Sequence, residues 1–355
     1  MRNIKLEIGS EFWLEEKSDD IYNKNFLNLG KDREFLLSGR TAISYILEEI
    51  SLNKKVHKVY FPNYCCYSMI EPFIKRHIEM NFYSVEFKNE IKYKINENEQ
   101  CDIFFAMNYF GYTDSNMDYY IKKFKQKGCI VIEDSTHSLL NSRIFSKESD
   151  YIIASLRKWF PVISGGIAIN NNQQFKYKID DEFTNEELVE LRKEAMIMKR
   201  KYINGEKVDK SKFLELYKIS NKKLNENYEN TIIDNMSKEI LMCLDIQKIK
   251  EKRKNNAKII YEELEKKEIK FLFECLKEDC PLFIPIILKD KQCRDKLKDY
   301  LISQDIYCPV HWPIPENLKN KKSNIYDKEL SLICDQRYSE EDIKNYVQTI
   351  NKFFR

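Results

Sequence analysis

The sequence contains no run of about eighteen apolar residues, the length that a membrane-spanning helix requires. Its first residues, MRNIKLEIGSEFW, have no apolar signal core. No CxxC pair occurs among the ten cysteines, and the four histidines are scattered, so no spacing supports a zinc site. We therefore expect a cytoplasmic protein with reduced thiols and no bound metal, and no association with a membrane.

A strong excess of one charge is also missing. Lys and Arg number 60 and Asp and Glu 57, which leaves a net charge of +3, and the two signs are interspersed. Such a balance argues against a nucleic-acid partner, because that function usually needs a basic patch. The hydrophobic content of 43% predicts a folded chain, and 355 residues suffice for one large domain and a smaller one.

No internal repeat or low-complexity linker interrupts the chain. From about residue 35 to 170, helix-like and strand-like patterns alternate, which predicts a mainly parallel sheet covered on both faces. The helix-like segments are SGRTAISYILEEI, YSMIEPFIKRHI and NMDYYIKKFKQKG, and the strand-like segments are KVYFP, MNFYSVEF, CDIFFAMNYFG, CIVIED, DYIIASL and GGIAIN.

The second half of the chain changes character. Residues from about 180 to 265 are helical and charged, and then two strand-like segments, LFIPIIL and IYCPVHWP, alternate with two helix-like ones. We predict a large α/β domain over residues 1–240, including the helical connection, and a small α+β domain over residues 241–355.

Polar residues follow the predicted strands at their carboxyl ends, where open parallel sheets bind ligands. Asp134 ends CIVIED and His137 comes three residues later, whereas Ser155, Arg157 and Lys158 end or follow DYIIASL. The helix that opens at SGRTA offers backbone N–H groups to a phosphate. The other candidates at strand ends are Tyr64, Cys66 and Tyr67 after VYFPN, and Asn108 and Tyr109 after IFFAM.

Two adjacent cations, Arg157 and Lys158, precede the large apolar side chain of Trp159. Two charged side chains at such a position would pack poorly in a core. The like charge and the apolar ring both predict a lowered pKa for the Lys158 amine. A lysine, a carboxylate and a phosphate-binding helix start are what pyridoxal 5'-phosphate requires: an amine for its aldehyde and an anion for its ring nitrogen. We therefore interpret Lys158 as the residue that forms a Schiff base.

The motifs LSGRTAISYIL, YFPNYCCYSM, NYFGY, VIEDSTHSLL, SLRKWFPVISGG, IYCPVHWP and LSLICDQRYSEEDI stand in the order seen in the DegT/DnrJ/EryC1/StrS family. The chain resembles this family of pyridoxal-phosphate sugar aminotransferases from about residue 30 to 350. The resemblance implies an aspartate-aminotransferase-like α/β fold with a mixed, mostly parallel sheet, plus a smaller α+β carboxy-terminal domain. It also implies a homodimer.

The resemblance also implies roles for individual residues. Lys158 matches the imine-forming lysine, Asp134 the partner of the ring nitrogen, and His137 a contact of the phenolic oxygen. Ser38, Gly39, Arg40, Thr41 and Ser155 match the phosphate site. The stacking position aligns with Cys66, between Tyr64 and Tyr67. Asn108 stands where many members carry His, and the spacing from Ser155 to Lys158 is shorter than usual, which places the chain in a side branch.

Each of these residues also has a purely structural interpretation. Asp134 can cap a helix, His137 can be a hydrogen-bonded core residue, and Lys158 can be a surface lysine. Arg337 either binds the carboxylate of an amino-acid donor or anchors the last helix, and His311 and Trp312 either face a cleft or pack.

The predicted function is amino transfer from an amino acid such as glutamate to a carbonyl substrate. The expected acceptor is a nucleotide-linked keto-sugar of surface polysaccharide or secondary metabolism. The alternatives are another pyridoxal-phosphate reaction (dehydration, isomerisation or decarboxylation), a non-sugar aminotransferase, and a non-catalytic protein that kept the fold.

Overall fold

The computed structural model describes residues 7–15, 29–112, 115–179, 183–274, 279–320 and 322–355. The chain divides into two compact units. The first comprises Glu7, Glu11–Lys54 and Ile153–Ile246, and the second comprises Ile8–Ser10, Lys55–Ile152 and Gln247–Arg355. The division into domains at residue 240 stays a prediction.

Strands occupy the segments that alternate with helices in the first half of the chain and return near its end. Their bounds are β1 (Ile8–Gly9), β2 (Asp32–Leu36), β3 (Lys58–Pro62), β4 (Glu79–Phe87), β5 (Ile91–Lys94), β6 (Ile103–Met107), β7 (Ile130–Asp134), β8 (Tyr151–Ser155), β9 (Gly166–Asn170), β10 (Lys270–Phe271), β11 (Ile284–Ile287), β12 (Ile306–Tyr307) and β13 (Glu329–Leu332).

The helices of the described chain lie between these strands, as in the region from residue 186 to residue 263, and after the last strand. Their bounds are α1 (Gly39–Ser51), α2 (Tyr67–Lys75), α3 (Ser115–Gln126), α4 (Glu186–Ile203), α5 (Lys210–Glu226), α6 (Asn235–Met242), α7 (Ile246–Glu263), α8 (Lys291–Ser303) and α9 (Glu340–Phe353). No helix in the described ranges is both long and apolar enough to cross a lipid bilayer.

The main sheet is mixed and mostly parallel where its pairings are defined. In the second unit its strand order is β5-β4-β3-β6-β7, followed by Tyr151 and Ile152 of β8. The rest of β8 belongs to the first unit, where the strand order is β8-β9-β2. The pairs β3-β4, β3-β6 and β6-β7 are parallel, whereas β4-β5 and β2-β9 are antiparallel. The second unit also contains a three-stranded sheet, β10-β11-β13, and the parallel pair β1-β12.

Local chemistry explains why the central elements form where the patterns predict them. Strand β6 is buried along its whole length and β7 along all but its first residue, as expected for parallel strands covered on both faces. Helix α1 begins after Ser38, whose Oγ accepts the N–H of Thr41, and it buries Ile43, Ile46 and Leu47. The local signals in this half of the chain are therefore consistent with the fold.

In the carboxy-terminal third, the structure confirms the strand in LFIPIIL and the helices α8 and α9, but the sequence interpretation is wrong at two places. The predicted strand IYCPVHWP is a strand only at Ile306–Tyr307, because Pro309 and Pro313 cannot donate to a ladder. The long helical pattern before it breaks into α6 and α7 at residues 243–245. The short strands β2, β5, β10 and β13 were not predicted, because the alternation in them extends over only two to five residues.

We predict that Gly166→Ala destabilises the protein by about 3 kcal/mol, because the new methyl group overlaps backbone atoms that cannot yield. A Cβ at Gly166 would lie 2.1 Å from the carbonyl oxygen of Ser38 and 2.8 Å from the amide nitrogen of Gly39. Urea unfolding measures the loss. Gly39→Ala is the matched control, since its Cβ would lie 3.2 Å from the Ser155 Cβ and no closer than 3.7 Å to the Ser155 backbone. Equal losses in the two variants would contradict the prediction.

Candidate active site

The phosphate-site candidates of the first unit lie at the start of α1 and the end of β8. Ser38 caps the helix: its Oγ lies 3.2 Å from the Thr41 amide nitrogen and 2.9 Å from the Thr41 Oγ1. Gly39 is the first helical residue, and a side chain there would press on Ser155. This close approach forms a small cradle of hydroxyl and backbone groups at a helix start, the arrangement that binds phosphate.

Arg40 points away from its own backbone toward α5 and the chain that follows it. Its Nη2 donates to Asn225 Oδ1 at 3.0 Å, and its guanidinium lies 5.0 Å from the ring centre of Tyr228. The structure therefore gives the Arg40 side chain protein partners, while its backbone remains in the helix start.

Arg157 and Lys158 lie in a single 3-10 turn, Leu156–Lys158, directly after β8. Leu156 and Trp159 on either side of the pair are both fully buried, whereas Lys158 is exposed and Arg157 half-buried. The apolar neighbours thus anchor the turn in the core, and of the two cations only Lys158 is exposed. The buried indole of Trp159 therefore fixes the turn from which Lys158 projects.

A carboxylate that the sequence analysis missed lies among these cations. Glu11 Oε2 accepts a hydrogen bond from Arg192 Nη2 at 2.8 Å. Burial alone would raise the pKa of Glu11, but the charges of Arg192, Arg157, Lys158 and Lys199 lower it to about 2. No local pattern could reveal this cluster, because Glu11 and Arg192 are 181 positions apart in sequence.

The pKa of Arg157 is shifted as well. Burial, together with the like charge of Arg192, lowers the pKa of Arg157 to about 9, although Glu11 partly offsets the decrease. The Arg157 Nε is buried and has no hydrogen-bond partner among the described residues. The surroundings of the Arg157 guanidinium therefore disfavour its positive charge. The lowered pKa of Lys158 stays a prediction.

Glu133 and Asp134 end β7 in the second unit, and their carboxylates differ in the number of hydrogen bonds that they accept. Glu133 accepts hydrogen bonds from Asn108 Nδ2 (2.6 Å), Arg143 Nη1 (2.9 Å), the Ser146 N–H (2.8 Å) and Ser149 Oγ (2.6 Å). Asp134 is only 3% exposed, and its carboxylate accepts the Thr136 N–H at 2.8 Å.

No cation among the described residues faces Asp134. Burial raises the pKa of Asp134 to about 6; the Thr136 hydrogen bonds oppose this increase and the charge of Glu133 adds to it. A buried carboxylate without a counter-charge is chemically suited to a protonated ring nitrogen. The pair of acids at the end of CIVIED therefore divides into a saturated Glu133 and an Asp134 that can still accept a cation.

His137 lies three residues further on and has a defined tautomer. The Phe110 N–H donates to His137 Nδ1 at 3.0 Å, so a neutral His137 carries its proton on Nε2. The ring stacks on Trp312, with centroids 5.7 Å apart and planes 27° apart, and meets His311 edge-on at 5.9 Å. His137 therefore presents a donor, as a contact to a phenolic oxygen requires.

Among the three candidates for stacking, only Tyr64 belongs to an aromatic cluster. Its fully buried ring lies 5.0 Å from Trp312 and 5.4 Å from Tyr109, whose hydroxyl donates to the Tyr64 carbonyl at 2.6 Å. Cys66 precedes α2 as its N-cap, and Tyr67 is 50% exposed.

Three candidates for substrate binding, Asn108, Arg337 and His311, have protein partners of their own. The Asn108 amide binds Glu133, as described above. Arg337 forms a bidentate ion pair with Asp335, with Nε–Oδ1 and Nη2–Oδ2 distances of 3.0 and 2.7 Å. His311 is 5% exposed and contacts Glu329 and Ser331, two residues that the sequence analysis did not single out.

Two observations, one in each unit, show that the residues present are chemically suited to bind pyridoxal phosphate. The first unit has the glycine-lined helix start beside Ser155, and the second has the buried, uncompensated Asp134 with the donor His137 beside it. No group of three or more His, Cys, Asp or Glu side chains suited to a metal ion occurs in the part of the chain that the structure describes.

Comparison with known proteins identifies the fold. No family model matches the chain, and neither does any curated protein. DesV from S. venezuelae, in complex with a ketimine intermediate, matches with a TM-score of 0.62 at 12% identity over 93% of this chain and 87% of DesV. The candidate sugar aminotransferase Spr1654 from Streptococcus pneumoniae, in its PLP form, matches at 0.61 and 14% identity over 90% and 86%.

A DegT/DnrJ/EryC1/StrS aminotransferase from Brucella abortus also matches, with a TM-score of 0.60 at 15% identity over 90% of this chain and 85% of that one. The chain therefore has the fold of these aminotransferases. This confirms the predicted fold class, an α/β domain of the PLP-dependent transferase type with a mixed sheet and a smaller α+β part.

We predict that Asp134→Asn stabilises the cofactor-free protein at neutral pH. Because the pKa of Asp134 is raised to about 6, the folded state binds a proton more tightly than the unfolded chain. Stability is then lost as the pH rises from about 4 to about 6, by up to about 3 kcal/mol, and a neutral amide avoids this loss. Urea unfolding at about pH 4.5 and pH 7.5 measures the difference.

The control is Asp299→Asn, at an exposed position on α8, which should leave the pH dependence unchanged. A wild-type protein whose stability stays constant relative to Asp134→Asn across this pH interval would show that the buried carboxylate is already compensated.

Proposed function

We propose that this chain is a pyridoxal-phosphate-dependent aminotransferase of the DegT/DnrJ/EryC1/StrS family. The observation that carries the proposal is the contrast at the end of β7. Glu133 is saturated by four donors, whereas Asp134 is buried and no cation among the described residues faces it. In the fold shared with DesV and Spr1654, this strand end is the place that the sequence motifs assign to the cofactor.

The cofactor supplies an aldehyde that binds amines and a ring that accepts electrons from a carbanion. In the proposal, the Nζ of Lys158 would hold the aldehyde when the cofactor is bound. The same Nζ would serve as the general base for the proton on the alpha carbon of the amino-acid donor.

The other candidates bind and orient. The Asp134 carboxylate would accept a hydrogen bond from the protonated ring nitrogen, and the His137 Nε2–H would donate to the phenolic oxygen. Ser38, Gly39, Thr41 and Ser155 would hold the phosphate at the start of α1. The proposed acceptor is a nucleotide-linked keto-sugar, which agrees with the names of the sugar aminotransferases that share the fold, and the proposed donor is glutamate. The proposed assembly is a homodimer in the cytoplasm.

We predict that borohydride fixes pyridoxal phosphate covalently on Lys158 and that Lys158→Ala abolishes this labelling. Amino transfer should fall by at least about a thousandfold in the same variant, because both the covalent anchor and the general base are lost. Peptide mapping by mass spectrometry locates the label, and release of 2-oxoglutarate from glutamate reports turnover on a panel of nucleotide-sugar ketones.

The control is Lys201→Ala, at an exposed lysine on α4, which should retain labelling and turnover. Covalent labelling that persists in Lys158→Ala would disprove the assignment of the lysine. Labelled wild-type protein without turnover on any sugar ketone would instead leave the cofactor assignment intact and reject the sugar acceptor.

A further inference from the structure

Three polar side chains of the second unit are buried together without contact with bulk solvent. Glu329 and Ser331 are 0% exposed and His311 is 5% exposed. None of them belongs to the cofactor site proposed above. Buried groups of this kind cost free energy unless they hydrogen-bond to one another, so their arrangement calls for an explanation.

The strand pairing brings the three together. Glu329 and Ser331 are two positions apart on β13 and therefore project from the same face of the strand, whereas Leu330 and Leu332 enter the core on the other. The Ser331 N–H donates to the Pro309 carbonyl at 2.9 Å, which holds the segment containing His311 beside the strand.

The hydrogen bonds form a continuous chain. Ser331 Oγ contacts Glu329 Oε1 on one side and lies 2.8 Å from His311 Nδ1 on the other. The second oxygen, Glu329 Oε2, accepts the backbone N–H of His311 at 2.7 Å. Because Oε2 must remain an acceptor for this N–H, a proton on the Glu329 carboxyl sits on Oε1, next to the serine.

This geometry allows two hydrogen-bonding states. With Glu329 ionised, the Ser331 hydroxyl donates to Oε1 and accepts from His311 Nδ1–H, so that Nε2 of the imidazole is a bare acceptor. With Glu329 protonated, its O–H donates to Ser331 and the serine hydroxyl donates to Nδ1, so that Nε2 carries the hydrogen.

The charges around Glu329 make both states accessible near neutral pH. Burial raises the pKa of Glu329 to about 8, against the opposing effects of Ser331, the His311 N–H and the charge of Arg294 on α8. Among the described residues, the Tyr64 hydroxyl and the Cys308 thiol also interact electrostatically with Glu329. Burial raises the pKa of each of these groups, and the charge of Glu329 raises it further.

The far side of His311 is aromatic. Its ring meets Phe110 at 5.4 Å, Phe283 at 5.0 Å, Trp312 at 5.2 Å and His137 at 5.9 Å. An imidazolium among these rings would be poorly solvated. A proton that arrives at Nε2 is better accommodated if the Nδ1 proton moves to Ser331 and the Ser331 proton moves to Glu329, because that ends with every group neutral.

We propose that Ser331 passes a proton between His311 and Glu329, so that the protonation of Glu329 selects which ring nitrogen of His311 bears hydrogen. In one transfer a proton binds Nε2, the Nδ1–H bond breaks as the Ser331 O–H bond forms, and the original serine proton joins Glu329 Oε1. Glu329 and Ser331 are then positioning residues for His311. The relay requires no cofactor, so it stands or falls independently of the proposed aminotransferase activity.

The test is the tautomer of His311 in full-length protein labelled with 15N-histidine, followed by NMR between about pH 6 and pH 9. The four histidines of the chain allow assignment by loss of one signal set in His311→Gln. In the wild type we expect His311 to change from the Nε2–H to the Nδ1–H form as the pH rises and Glu329 ionises, with the two ring 15N shifts exchanging their pattern.

Glu329→Gln should abolish this change. The Gln oxygen must accept the His311 N–H in the place of Oε2, so its amide NH2 donates to Ser331, which then donates to Nδ1 and locks Nε2–H at every pH. Glu316→Gln, at an exposed glutamate, is the control and should behave as wild type. A wild-type His311 whose tautomer is constant across the interval would overturn the relay, and so would an Nδ1–H form in Glu329→Gln.

Discussion

A carboxylate that is removed from water must be neutralised or hydrogen-bonded, and this constraint organises the second unit. Glu133, Asp134 and Glu329 are each no more than 3% exposed. Glu133 meets the constraint with four donors, one of them Arg143, and Glu329 meets it with Ser331 and the His311 backbone. Asp134 meets it only in part, through Thr136. That incomplete solution is what makes a cationic ligand chemically reasonable there.

In the first unit the same constraint applies to buried positive charge. Arg157 and Arg192 crowd around the single carboxylate Glu11, and burial of positive charge lowers the pKa of Arg157 to about 9. Lys158 occupies the next position in the same turn, held by the buried Trp159. Asp134 and Arg157, two residues that the motifs single out, therefore have pKa values shifted by burial, which is common at functional sites.

The central elements could be predicted from sequence because their signals are local. Helix α1 has its cap at Ser38 and its apolar stripe within 13 residues, and β7 is a short apolar run that ends in two acids. Strand β13 could not, because an alternation over four residues is indistinguishable from loop. Strand β12 was predicted too long, because the predicted strand continued past Tyr307 and through Pro309. The partners of Glu133 and Glu11 were likewise invisible, since they come from residues 10 to 181 positions away.

By itself, the sequence determined the order of helices and strands in the first half of the chain and the residue types at the strand ends, including Lys158, Asp134 and His137. It could do so because capping, alternation and strand termination act over a few neighbouring residues. Only the tertiary structure decided which acids are satisfied, which arginines are crowded and which ring nitrogens carry hydrogen. Those properties depend on burial and on contacts between distant segments, which exist only once the chain has folded.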